Sequence, residues 1–278
     1  AFLPTTMSAS PEDTVRALAG VKAVMERPEP DGAIVLGAHM EAPFLAEAKA
    51  GAQLKQYFAD PNEENWQRYT CGLESVVRLI TMAPERAGAM EFISALTKKG
   101  ITVSIGHTTA DAETTHAAAE AGATHVTHTF NAQTPLNHRA PGVPGAALVD
   151  DRLQCEVISD GIHLHPDIVK LIIRTKGKEK LVAITDAMEA AGMPDGQYQL
   201  GGQEVFVHEG AARLKDGTLA GSTLTMIRAF QNLIRFGATP EEAALMTTKT
   251  PALSIGNEEL GEIELGAPAI FSRFDENY

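Results

Sequence analysis

A (β/α)8 barrel is the fold class predicted by this sequence of 278 residues, and three observations predict it. Short apolar runs alternate with helical stretches along the chain, the pattern of a parallel sheet covered by helices. The length suits a single barrel of roughly 250 residues. Most of the apolar runs lead into a His, Glu or Asp, and barrel active sites are built where strands end.

The elements follow in order. Ser10, Pro11, Glu12 and Asp13 read as a helix start: a hydroxyl cap, proline at the first helical position and acids in the first turn. This helix runs to about Arg27, where Pro28 and Pro30 stop it. An apolar run, Ala33 to Leu36, leads through Gly37 to His39 and Glu41. Val76 to Met82 ends at Glu85, and a helix from Ala87 to Lys99 follows. Ile101 to Ile105 ends at His107, before an alanine-rich helix from Asp111 to Ala121 that Gly122 closes. Thr124 to Thr129 carries His128 and leads to Asn131. Cys155 to Ser159 leads to Asp160 and His163, then to a helix from Pro166 to about Thr175. Leu181 to Ile184 ends at Asp186. Residues 197–218 read as a β-hairpin insertion, with a turn at Lys215 to Gly217. A last helix spans Pro240 to Thr248, and Gly261 to Gly266 reads as one strand of a small β element. The expected organisation is a catalytic barrel over 1–258, its first strand lying outside the chain, and a remnant of a small β domain over 259–278.

Composition excludes several function classes. A formal net charge of −13 argues against nucleic acid, which needs a basic stripe. No apolar run approaches the ~20 residues of a membrane helix, and residues 1–10 lack the pattern of a signal peptide. Cys71 and Cys155 stand far apart in no metal or redox spacing, which reads as a reducing, cytoplasmic setting. An anionic substrate has to be drawn in by a local cation, against the field of the whole molecule.

The strand ends hold a complete amide-hydrolysis set. Glu85, His107 and His128 are the expected ligands of one divalent metal, Zn²⁺ ahead of Fe²⁺ or another ion, with a place left for water. Such an ion makes water a nucleophile near neutral pH. Asp186 is the expected proton acceptor and donor. His163 reads as a substrate or carbonyl contact, and His165, just before Pro166, as structural. Arg139 is the local cation for a phosphate, with His138 beside it as an additional site residue. His39 and Glu41 are further site residues, because they follow the first apolar run. His116 and His208 read as surface residues.

The segments GAHMEAPF (37–44), APE (83–85), GHT (106–108), THTFNA (127–132), SDGIHLHP (159–166), TDAM (185–188) and LAGSTLTM (219–226) resemble N-acetylglucosamine-6-phosphate deacetylases of the amidohydrolase superfamily. The resemblance runs in order over nearly the whole chain. It implies a metal on Glu85, His107 and His128, and Asp186 as general base and acid. It also implies Asn131, Ala132 and Arg139 at the sugar phosphate, His163 near the scissile acetamide, and Leu219, Ala220 and Gly221 closing over the ligand. A cytoplasmic homodimer is implied as well, one subunit reaching the other's phosphate site. The chain departs from the family pattern at Ala42 in place of Gly, at Gln53 in place of His, and at Asn137 and Ala140 in place of His and Glu. Two alternatives stay open: an amidohydrolase acting on another N-acetylated sugar or a cyclic amide, and a non-catalytic sugar-phosphate binder on the same scaffold.

Overall fold

A computed structural model of the chain describes residues 1–29 and 32–275; Pro30, read above as a helix stop, lies outside them. Seven strands form one parallel sheet in chain order: β1 (Thr5–Thr6), β2 (Ala38–Met40), β3 (Val77–Met82), β4 (Thr102–Ile105), β5 (His125–Val126), β6 (Gln154–Ile158) and β7 (Leu181–Ile184). Helices α1 (Pro11–Glu26), α2 (Glu63–Thr70), α3 (Ala89–Lys98), α4 (Ala112–Ala121), α5 (Gly142–Val149) and α6 (Pro166–Lys180) make the crossovers. Sequential parallel strands joined through helices are the wall of a (β/α) barrel. The wall carries seven strands among the described residues, one fewer than a closed eight-stranded ring.

Local signals fix the helix ends. Ser10 accepts from the Asp13 amide and Pro11 opens α1, while Asp111 caps α4 and Gly122 ends it at φ 118°. Helix α6 is interrupted at Gly177 (φ 64°), two residues past the expected end. Lys176 beside this break donates to the carbonyls of Ala147 and Asp150, closing the C-terminal turn of α5.

Alternation along the strands gives the sheet two unlike faces. Met40, Ile80, Met82, Val103, Ile105, Val126, Cys155 and Val157 belong to the main core with Phe92, Ile93, Leu96, Val169 and Ile172 of the helices. The other face is polar. His39 Nε2 meets the Thr81 hydroxyl at 2.8 Å, Thr81 meets Thr127 at 2.7 Å, and Ser104 meets Thr127 at 2.6 Å. Thr5 extends this chain to His39 Nδ1 at 3.3 Å. A continuous line of side-chain hydrogen bonds thus crosses the wall from β1 to the end of β5.

Beyond β7, residues 187 and 222 bridge in parallel. Between them a separate antiparallel sheet, β8 (Gly196–Leu200), β9 (Gln203–His208) and β10 (Ala211–Leu214), packs Val205, Val207 and Ala212 on Met188, Ala190 and Ala220. Helices α7 (Met226–Arg235), α8 (Pro240–Thr247) and α9 (Lys249–Ser254) complete the elements.

Three expectations differ from the structure. The insertion has three strands rather than a hairpin's two, because residues 196–200 also pair with β9. The run Ala33 to Leu36 makes one isolated bridge, from Val35 to Phe2, and the strand begins at Ala38. The segment 261–266 forms no strand; a lone extended segment with nothing to pair against gains no ladder. The last three residues of the 259–278 range lie outside the described residues. Among the described residues no helix is long and apolar enough to cross a membrane.

Candidate metal centre

Three strand ends turn through the left-handed region at non-glycine residues: His107 after β4 (φ 46°), His128 after β5 (φ 30°) and Asp186 after β7 (φ 49°). Such conformations are uncommon for residues with a Cβ and gather at functional sites. The left-handed residue reverses the strand direction and turns the side chain over the strand ends instead of onward along the strand. It also explains why β5 is only two residues long.

The turned rings of His107 and His128 meet over the sheet. Their Nε2 atoms lie 3.1 Å apart, and Oε1 of Glu41 stands 3.1 Å from one and 3.0 Å from the other. All three residues are buried. Four tetrahedral ligands about 2.0–2.1 Å from a zinc ion lie ~3.3 Å from one another, so this nearly equilateral triangle of one carboxylate oxygen and two imidazole nitrogens fits a divalent ion. The set is a borderline one, suited to zinc, iron or their neighbours. Nδ1 of His107 faces the Lys49 carbonyl at 2.7 Å, which makes it the protonated nitrogen and leaves Nε2 free to ligate. Nδ1 of His128 is buried without a hydrogen-bond partner among the described residues.

The carboxylate at the histidine pair is therefore Glu41, not the predicted Glu85. Glu85 is exposed, accepting from the Thr109 amide at 2.6 Å, from the Thr109 hydroxyl at 2.8 Å and from the Thr108 hydroxyl. It stands three residues past β3, in the turn, whereas Glu41 stands one residue past β2. A short reach to the strand ends decides between them.

The electrostatics tie the group together. Burial alone would lower the His128 pKa, but the Glu41 carboxylate, with Asp186 and Glu156, raises it to about 9. Burial opposes ionisation of Glu41 too, yet the two histidines hold its pKa well below the ordinary value. Asp186 is pushed up to about 6, by burial first and then by Glu41, against the pull of His128, His163 and His107. Glu156 of β6, on the polar face, is raised to about 8 by burial. His39 lies one layer deeper, in the hydroxyl chain, and burial lowers it to about 4.

His163 is oriented by Asp160. Oδ2 of Asp160 is 2.7 Å from Nδ1, while Oδ1 accepts the amides of Ile162 and His163. Both side chains are nearly covered, at 7 % and 9 % exposure. Asn131 turns back onto the His128 carbonyl, and the carbonyl of Ala132 (φ 50°) accepts from Thr108. Gly221 (φ 62°) presses against Asp186, whose carbonyl accepts the Ser222 amide at 2.7 Å. The Ala220 amide is spent on Ala212, and Leu219 bridges to Arg213. His138 and Arg139 are exposed in the turn closed by Asn137 and Ala140, and Arg139 has no ion pair among the described residues.

Two residues escaped sequence reasoning as site members. Gln53 contacts Glu41, and only its departure from the family pattern marked it. Glu156 could have been found as the lone acid in the otherwise apolar run from Cys155 to Ile158 of β6.

The amidohydrolase family model matches residues 5–277. An N-acetylglucosamine-6-phosphate deacetylase of Vibrio furnissii is 39 % identical over 268 residues, 96 % of this chain and 67 % of that protein. An N-acetylgalactosamine-6-phosphate deacetylase of Escherichia coli O157:H7 is 38 % identical, over 96 % of this chain and 71 % of the other. The crystal structure of N-acetylglucosamine-6-phosphate deacetylase from Pasteurella multocida superposes with a TM-score of 0.90 at 32 % identity, covering 97 % of this chain and 70 % of that one. The chain thus spans about two thirds of these relatives' length.

Proposed function

Because the chain belongs to the amidohydrolase family, we propose that it hydrolyses the acetamide of N-acetyl-D-glucosamine 6-phosphate, giving D-glucosamine 6-phosphate and acetate. The observation that carries the reading is the buried triangle of Glu41, His107 and His128 beside Asp186. These three residues would hold a divalent ion, zinc before iron. When bound, the ion polarises the acetamide carbonyl and lowers the pKa of water.

The chain's own residues do the rest. Asp186, ionised above pH about 6, takes a proton from the attacking water as the new C–O bond forms. It returns that proton to the sugar nitrogen as the C–N bond breaks, so one carboxylate serves as base and then acid. His163, fixed by Asp160 through Nδ1, presents Nε2 toward the substrate. Asn131 and Ala132, on the loop that follows His128, and the segment Leu219 to Gly221 bound the sugar. Arg139, exposed and without an ion pair among the described residues, suits a cation that reaches the phosphate of a neighbouring subunit in a homodimer. A reducing, cytoplasmic setting agrees with two free cysteines, Cys155 buried and Cys71 exposed.

A second reading, the C4 epimer N-acetyl-D-galactosamine 6-phosphate as substrate, is favoured by the similarity to the Escherichia coli relative. The test is acetate release with added Zn²⁺ from both phosphosugars and from unphosphorylated N-acetylglucosamine, using the full-length protein. A higher kcat/KM on the gluco substrate, lost in Asp186→Asn, is expected. Preference for the galacto substrate would select the second reading, and binding without turnover in folded, metal-loaded protein would overturn both.

A further inference from the structure

A metal-ligating carboxylate has two oxygens, and something must decide which one faces the ion. In this site Oε1 of Glu41 faces both histidines, while Oε2 accepts from Nε2 of Gln53 at 3.1 Å. Gln53 is buried at 8 % exposure. Its amide orientation is unambiguous, because the Ser8 amide donates to Oε1 of Gln53 at 2.7 Å and only the oxygen can accept. The amino group must therefore point at Glu41.

The support behind Gln53 is rigid. The Leu54 amide returns a hydrogen bond to the Ser8 hydroxyl, so residues 8 and 53–54 clasp one another. The Gln53 amide bonds to the Ala50 carbonyl, and Gln203 of β9 donates to the Ala52 carbonyl. Lys49, four residues earlier, orients His107 through its carbonyl. A single segment, residues 49–53, thus reaches two of the three ligands from behind.

We propose that Gln53 is a positioning residue for the metal centre, holding Oε2 of Glu41 so that Oε1 is the ligating oxygen. The proposal rests on the metal-centre reading above. Partners of this kind are typically worth about 10- to 100-fold in metal affinity. The donor is a neutral amide, so its effect on Glu41 does not change with pH.

The experiment uses the full-length protein and measures Zn²⁺ affinity by chelator competition, the visible spectrum of the Co²⁺ form, and the melting temperature without metal. Gln53→Met keeps the length and removes both hydrogen bonds; Gln53→His restores an N–H donor. The expected result is a loss of about 10- to 100-fold in affinity and an altered Co²⁺ spectrum for Gln53→Met, with most of the affinity recovered in Gln53→His. Wild-type affinity and spectrum in a folded Gln53→Met protein would overturn the proposal. So would an equal loss in Gln53→His, which would mark the residue as packing alone. Glu41→Gln separates the two levels: if it binds Zn²⁺ as the wild type does, the metal centre itself is misassigned and the role of Gln53 falls with it.

Discussion

His128 must give up a proton before its Nε2 can ligate an ion, and the structure sets the size of that competition. Burial pulls the pKa of His128 down, but the adjacent Glu41 carboxylate outweighs it and brings the value to about 9 in the metal-free protein. At pH 7 the proton is therefore held about two pH units beyond neutrality of the ring. Displacing it costs about 3 kcal/mol at 1.36 kcal/mol per unit, or roughly 100-fold in affinity. Affinity for Zn²⁺ should climb about tenfold per unit from pH 7 to 9 and then flatten. The metal-free fold should behave oppositely: a raised histidine pKa stabilises the folded state fully below the unfolded value of about 6.5, and that contribution disappears as pH rises through 9. Titration calorimetry at pH 7 in buffers of different ionisation enthalpy counts the protons directly, and about one released per ion is expected. Zero protons released, with flat affinity from pH 7 to 9, would refute a charged His128 and the argument built on it.

Other outcomes follow from the same geometry. Glu41→Gln should weaken metal binding at least 100-fold, whereas Glu85→Gln should change it less than about threefold and cost about 1 kcal/mol of stability through its lost threonine contacts; metal titration and denaturant unfolding of both variants decide this. Asp186→Asn should lower turnover by about 10²- to 10⁴-fold with metal affinity within a few-fold of wild type, measured by acetate release and metal titration. In the wild type, kcat/KM should fall with unit slope below pH about 6, where Asp186 becomes protonated. Thr127→Val should cost about 1–3 kcal/mol in thermal or denaturant unfolding, because the Ser104 hydroxyl loses its partner and the Thr81 hydroxyl keeps only His39.

The barrel was legible because each of its signals is local. The caps at Ser10 and Asp111 and the closing Gly122 act within a few residues, and the structure has each of them; of the apolar runs, Ala33 to Leu36 makes only a bridge, its strand beginning at Ala38. His107, His128 and Asp186 were legible for a related reason, since each ends a strand. The sequence pointed to Glu85 as the ligand and to Glu41 only as a further site residue. Their difference lies in how far past the strand each carboxylate stands and in the two threonines that occupy Glu85, neither of which periodicity reports. Gln53 lies 12 residues from Glu41 along the chain and meets it only through the packing of residues 49–54 against Ser8. The three-stranded sheet was read as a hairpin because β8, with Gln197, Tyr198 and Gln199, carries little apolar alternation; pairing with β9 makes it a strand.

The line of hydroxyls beneath the metal centre also bears on how the chain finds its strand alignment. Parallel strands rich in Val and Ile carry weak register information, because neighbouring offsets bury similar surfaces. A slip of β4 by one residue would turn Ser104 toward the helices and bring Val103 or Ile105 against Thr81 and Thr127. Two buried hydroxyls would then face a methyl group, at about 1–3 kcal/mol for each unsatisfied partner. The same side chains that floor the site thus act as an alignment key during folding, and a correctly threaded wall is already one that brings His107 and His128 to the same height.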